Sequence, residues 1–194
     1  LAAAREALVD VRSADPSILV ELRYNQSDNF MKRNVYHSDR AFLRGDAARR
    51  LARANATLKD LGFKLKIWDA YRPLSVQREM WNLVPDDRYV ANPAKGSRHN
   101  RGAAVDVTLT DINNREVEMP TFHDDFSERA SAGARSTPAA ERHAAILANC
   151  MIAAGFSPLA TEWWHFDAPG WQDYELLDVP LSELAPPASL PKNN

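Results

Sequence analysis

Apolar positions along this chain fall into two periods, and each period marks a kind of element. Ala47, Leu51, Ala54, Leu58 and Leu61 step by four and three, the spacing of one face of an amphipathic helix. Gly62 follows, where a helix ends in left-handed backbone. From Phe63 to Asp69 apolar and polar residues alternate, as in a half-buried strand. Pro73 opens a short helix that turns Val76, Met80 and Leu83 inward. Alternation returns from Ala104 to Thr110, with Val105, Val107 and Leu109 on one face and Ala104, Asp106 and Thr108 on the other. Thr137-Pro138 starts a second long helix whose apolar residues are Ile146, Leu147, Cys150, Met151 and Ala154, and Gly155 ends it. Thr161 to Asp167 is rich in aromatics and reads as a strand. From Pro180 onward prolines and serines crowd a segment without period. Helices and strands interleave, but the strands are short and the loops long. That favours an α+β fold over a doubly wound sheet.

Composition acts mainly by exclusion. With 194 residues, 45% hydrophobic and 26% charged, the chain fits one globular domain spanning 1–194, in which about 181–194 form a peripheral tail. The net charge of −2 is spread along the chain, and no basic stripe points to nucleic acid. No run approaches the ~20 apolar residues of a membrane span. Cys150 is the sole cysteine, so no internal disulfide is possible, and its apolar neighbours make it a core thiol rather than a nucleophile. A small ligand that is not a polyanion remains.

The polar chemistry is concentrated in two short segments, Ser97 to Asp106 and Glu162-Trp163-Trp164-His165. Together they supply two histidines and two carboxylates, the donor types of a catalytic zinc site with a base beside it. An extended chain would hold His99 and Asp106 about 23 Å apart. Gly102 lies between them and permits the turn that brings them together. Glu162 and His165 are three apart, so an ideal strand sends them to opposite faces, and sharing a site requires a bulge, twist or turn. Taken singly, each residue has an ordinary structural reading. His165 sits among tryptophans, Asp106 has Arg98 or Arg101 as partners, and Glu162 suits a surface.

The joint pattern is more specific. His99-x-x-Gly102-x-x-x-Asp106, with Ser97 before it, and Glu162-x-Trp164-His165 resemble the signature pair of the D-Ala-D-Ala dipeptidases. That family includes vancomycin-resistance enzymes and shares a superfamily with zinc D,D-carboxypeptidases and Hedgehog-like domains. Asp69-Ala70-Tyr71-Arg72-Pro73 resembles its arginine motif, Leu22-Arg23-Tyr24 with Asp28-Asn29-Phe30 its N-terminal motif, and Met119 to Ala130 its acidic loop. The resemblance implies a small antiparallel sheet flanked by helices. It implies one zinc ion per chain on His99, Asp106 and His165, with Glu162 as general base and Arg72 stabilising the oxyanion. Ser97, Tyr24 and Asp124 would hold a small dipeptide, Asp124 by its ammonium group. For Arg72 the ordinary reading is a salt bridge to Asp69.

In the acidic loop the expected aromatic-aspartate pair is replaced by Phe122-His123-Asp124-Asp125, so either aspartate is a candidate for the ammonium. His37 and His143 match nothing catalytic and read as surface or structural residues. The function implied is cleavage of D-Ala-D-Ala in cell-wall turnover or glycopeptide resistance. A zinc D,D-carboxypeptidase or endopeptidase is the first alternative and a non-catalytic zinc module the second. Glu162 and Arg72 argue against the latter, since a structural metal needs neither. The expected setting is a bacterial periplasm or cell envelope, with the cytoplasm as the alternative.

Overall fold

A computed structural model describes residues 7–184 of the chain. In order, its elements are β1 (Leu8–Asp10), the short helix α1 (Val11–Ala14), β2 (Leu19–Val20), β3 (Phe42–Arg44), α2 (Gly45–Asp60), β4 (Phe63–Asp69) and α3 (Leu74–Leu83). Then come β5 (Ala104–Asp111), α4 (Pro138–Ala153), β6 (Ser157–Leu159) and β7 (Glu162–Asp167). Strands β1 and β3 form a two-stranded antiparallel ribbon. The others make one sheet in the order β2-β4-β5-β7-β6. Its pairings are antiparallel except at one edge, where the two-residue β2 runs parallel to β4. The α+β class is the expected one. The parallel edge was not legible, because two residues carry no period.

Helix α2 buries Ala47, Ala48, Leu51, Ala54 and Leu58 along the face its spacing marks. Asn55 shares that face and is fully buried. Burial of its amide is offset by bonds: it accepts the Leu65 N–H at 2.8 Å and donates to Asp15 at 2.8 Å. Leu61, expected on the same face, lies past the helix end and is 53% exposed. The helix stops at Asp60 and Gly62, at φ 86°, turns the chain away. Leu83 fails in the same way. It is the last residue of α3 and is exposed, while Val76 and Met80 are buried. In α4 the Thr137 hydroxyl caps the Ala140 N–H, Pro138 occupies the first turn, and Leu147, Cys150 and Met151 are buried. Leu181 is buried and Leu184 packs on the core, so the chain stays docked through 184; the rest of the expected tail lies outside the described residues.

Helices α2 and α4 pack on each other and on the sheet, and neither contributes a residue to the cleft described below. They cover one face, and the other is left for chemistry. Two irregularities of register then bring polar residues together there. Ile67 pairs with Val107, but the next pair is Asp69 with Asp106, so Trp68 is a bulge. Across the other edge of β5, Asp106 pairs with His165. Asp69, Asp106 and His165 thus lie side by side on three adjacent strands. In the β6–β7 hairpin, Pro158 pairs with Phe166 and Leu159 with Glu162, which sets extra residues into β7 between Glu162 and Phe166. That is the irregularity which a shared site for Glu162 and His165 requires.

Candidate active site

The site begins with a turn. His99–Arg101 form a single 3-10 turn that ends at Gly102, which stands in left-handed backbone at φ 68°. A Cβ there would press on the tip of the half-buried Leu8 side chain, which can move aside, so it is the left-handed dihedral that calls for glycine. The turn folds His99 back over β5. Its Nε2 then lies 3.3 Å from Asp106 Oδ1 and 3.2 Å from His165 Nδ1, and His165 Nδ1 is 3.0 Å from Asp106 Oδ1. Three donor atoms therefore form a nearly equilateral triangle. Tetrahedral bonds of about 2.0–2.1 Å imply ligand–ligand edges of ~3.3 Å, so the triangle has the size of one face of a zinc site. The far side of each imidazole is also committed: His99 Nδ1 donates to the Ala70 carbonyl at 2.7 Å, and His165 Nε2 to Asp167 Oδ1 at 2.9 Å. Such outer bonds fix ring orientation and choose which nitrogen faces a metal. His99, Asp106 and His165 are all buried, and among the described residues they are the group whose donor atoms could share an ion.

Around the triangle stand the other expected residues. Glu162 Oε2 is 3.8 Å from His165 Nδ1, close enough to bond a water held at the triangle. Arg72 forms the salt bridge to Asp69 that its ordinary reading foresaw, through Nε at 3.0 Å and a terminal nitrogen at 2.7 Å. A third N–H goes to Gln77 Oε1 at 2.7 Å, and Asp69 itself accepts the Tyr36 hydroxyl at 2.6 Å. Arg72 nevertheless lines the cleft, so the bridge anchors the guanidinium rather than hiding it. Tyr24 donates its hydroxyl to Asp124 Oδ2 at 2.8 Å. The loop that carries Tyr24 is tied by Asn29, whose amide donates to the Arg23, Gln26 and Arg33 carbonyls and whose oxygen accepts the Met31 N–H. Ser97 accepts the His99 N–H at 3.2 Å and faces the cleft. Asp124 stands in left-handed backbone at φ 57° and reaches the cleft. Asp125 does not line it and bonds Ser127 and Arg129 instead.

Electrostatics follow from burial beside charge. Burial raises the Asp106 carboxyl, but His99, His123 and His165 outweigh it and hold the group well below the ordinary range. Burial would lower His165, yet bonds to Asp106 and Asp167 push it up to about 10. Glu162 is raised, chiefly by burial. Burial would also lower Arg72, and Asp69 beside it keeps the guanidinium charged.

Tyr24, Arg72, Ser97, His99, Asp106, Asp124, Glu162 and His165 come from five separate stretches of chain and line one cleft of about 420 Å³. Sequence reasoning missed Asp167, Gln77 and Tyr36, and left Asp69 only as a partner. Asp167 was findable, since it lies two residues from His165 on the same strand face. His37 is exposed, and His143 bonds the Glu118 carbonyl at 2.8 Å, both apart from the cleft as expected.

Paired histidines and a carboxylate closed on one side, with a second carboxylate and an anchored guanidinium on the open side, define a metallohydrolase type of centre. The family model described as D-ala-D-ala dipeptidase matches residues 4–183. The chain belongs to that family. It is 37% identical to the D-alanyl-D-alanine dipeptidase of Escherichia coli (strain K12) over 171 residues, 88% of this chain and 89% of that one. It is 33% identical to the D-alanyl-D-alanine dipeptidase of Streptomyces coelicolor over 174 residues, 75% of this chain and 83% of that one. The crystal structure of a vancomycin resistance D,D-pentapeptidase, VanY, in complex with Zn(II) is similar at 15% identity and a TM-score of 0.48, covering 70% of this chain and 77% of that chain.

Proposed function

We propose that this chain hydrolyses free D-Ala-D-Ala as a zinc metallopeptidase, using the residues gathered in the cleft. His99, Asp106 and His165 hold one zinc ion, and the observation that carries this reading is their triangle of donor atoms at 3.0–3.3 Å. Zinc bound there supplies Lewis-acid charge that brings the pKa of water toward neutrality. Glu162 takes a proton from the attacking water and returns it to the leaving amine. Arg72 meets the oxyanion that forms when water adds to the peptide carbonyl. Three of its five N–H groups are committed to Asp69 and Gln77, which fixes the guanidinium plane. Asp124, steadied by Tyr24, pairs with the dipeptide ammonium, and Ser97 lines the same wall. Cell-wall turnover or glycopeptide resistance, in the periplasm or cell envelope of a bacterium, is the setting proposed with it.

Arg72→Lys is expected to keep zinc and lower kcat about 10²–10³-fold, because an ammonium cannot keep the forked bond to Asp69 while facing an oxyanion. Arg72→Ala strands Asp69, which is fully buried, and is expected to cost about 3–5 kcal/mol of stability as well. Steady-state kinetics with thermal unfolding separates the two effects. A change confined to KM would reassign Arg72 to substrate binding.

The experiment that tests the reading compares kcat/KM for D-Ala-D-Ala and its N-acetyl form. Losing the charge pair with Asp124 is expected to cost the blocked peptide about a hundredfold or more. Asp124→Asn is expected to weaken cleavage of the free dipeptide comparably, and Asp125→Asn to do much less. Equal rates on both peptides would favour a carboxypeptidase acting on longer chains.

A further inference from the structure

His123 has no part in that reading, yet it is built into the centre. Its side chain is only 4% exposed and lies among the rings of Tyr24, Trp68 and Trp164, at centroid distances of 5.8, 5.3 and 5.5 Å. A hydrocarbon ring would fill that space as well. The polar edge of the imidazole is what needs explaining, since burying it without partners is costly. Both of its nitrogens meet carboxylates. Nε2 donates to Asp106 Oδ2 at 3.1 Å, and Nδ1 lies 3.3 Å from Asp124 Oδ2, the oxygen that also accepts the Tyr24 hydroxyl.

The two carboxylates bridged in this way have different duties. Asp106 turns Oδ1 to the triangle, and His123 holds the other oxygen, Oδ2. That bond fixes the orientation of the Asp106 carboxylate and leaves Oδ1 as the oxygen that would face a metal. On its other side His123 holds Asp124, whose backbone is left-handed and which also accepts the Tyr24 hydroxyl, in a loop tied to β7 by the Trp163 N–H to Thr121. We propose that His123 is a positioning residue that locks the metal-binding carboxylate of Asp106 and the ammonium-binding carboxylate of Asp124 into one bonded unit. Metal affinity and dipeptide recognition then both depend on it. The proposal rests on the zinc and ammonium roles given above.

Three substitutions test it. His123→Phe keeps the packing and removes both polar contacts; His123→Gln keeps a donor near the Nε2 position; His123→Asn keeps one near Nδ1. Zinc affinity of the purified protein is read by competition with a chromophoric chelator, without any assay of activity. His123→Phe is expected to bind zinc about 10–100-fold more weakly. At saturating zinc its KM for D-Ala-D-Ala should rise at least tenfold while kcat stays within about threefold. His123→Gln should recover zinc affinity but not KM, and His123→Asn the reverse. Unchanged zinc affinity in the Phe variant, or both quantities lost alike in the Gln and Asn variants, would overturn the proposal. Should the Phe variant not fold, the opposite responses of Gln and Asn decide alone. His99→Ala marks the distinction from the underlying reading. A wild-type protein that binds no zinc, or a His99→Ala protein that binds it normally, sinks the site itself; a normal wild type with an unaltered His123→Phe sinks only this inference.

Discussion

Removal of zinc with a chelator is expected to abolish hydrolysis of D-Ala-D-Ala, and one equivalent of zinc per chain to restore it. The buried charges at the triangle set how zinc must bind. Asp106 is ionised and His165 is held protonated, pushed up to about 10 against the opposing effect of burial. The proton on His165 sits on Nδ1, the corner of the triangle, whenever Nε2–H is given to Asp167. A metal must therefore displace it. Below pH 10 the proton competes with zinc, and raising the pH removes the competitor. Apparent zinc affinity should thus climb about tenfold per pH unit between pH 6.5 and 8.5 for the one proton released. Chelator competition across that range provides the measurement. A flat profile would mean that zinc displaces no proton from His165 in this range, and full activity in the stripped protein would end the zinc mechanism.

Glu162→Ala and Glu162→Gln should retain zinc yet lose about 10²–10⁴-fold in kcat, the range for removing a general base. Glu162 leans over the triangle from the bulged start of β7, with Oε2 3.8 Å from His165 Nδ1. Its carboxyl is half-buried and raised, which makes it a better proton acceptor than an exposed glutamate. It contributes no corner to the triangle, so the glutamine variant should match wild type in zinc titrations. Near-normal turnover would transfer the base role to another carboxylate of the cleft. Loss of zinc along with activity would make Glu162 a ligand instead.

Much of this was legible before any fold was known. Periods of 3.6 and 2 located α2, β4, β5 and α4, because which side of a local element is apolar depends only on neighbours along the chain. They failed at element ends, where Leu61 lies just past α2 and Leu83 is the final residue of α3, both exposed. The donor set of the centre was legible for a related reason: His99, Gly102, Asp106, Glu162 and His165 stand in two short motifs, and the turn at Gly102 needs only local backbone.

Tertiary structure decided how those motifs meet. The bulge at Trp68 that sets Asp69 beside Asp106, and the extra residues in β7 that let Glu162 and His165 share a side, are matters of register between strands distant in sequence. No spacing encodes them. The same holds for His123, which looked like an intruder in an acidic loop until that loop was seen to carry it between Asp106 and Asp124. The choice of Asp124 over Asp125 for the cleft also came from the path of that loop. Residue types and local turns determined what chemistry the chain can hold. Where each charge points was decided by cross-strand register and loop packing, because both balance contacts between segments that the sequence keeps far apart.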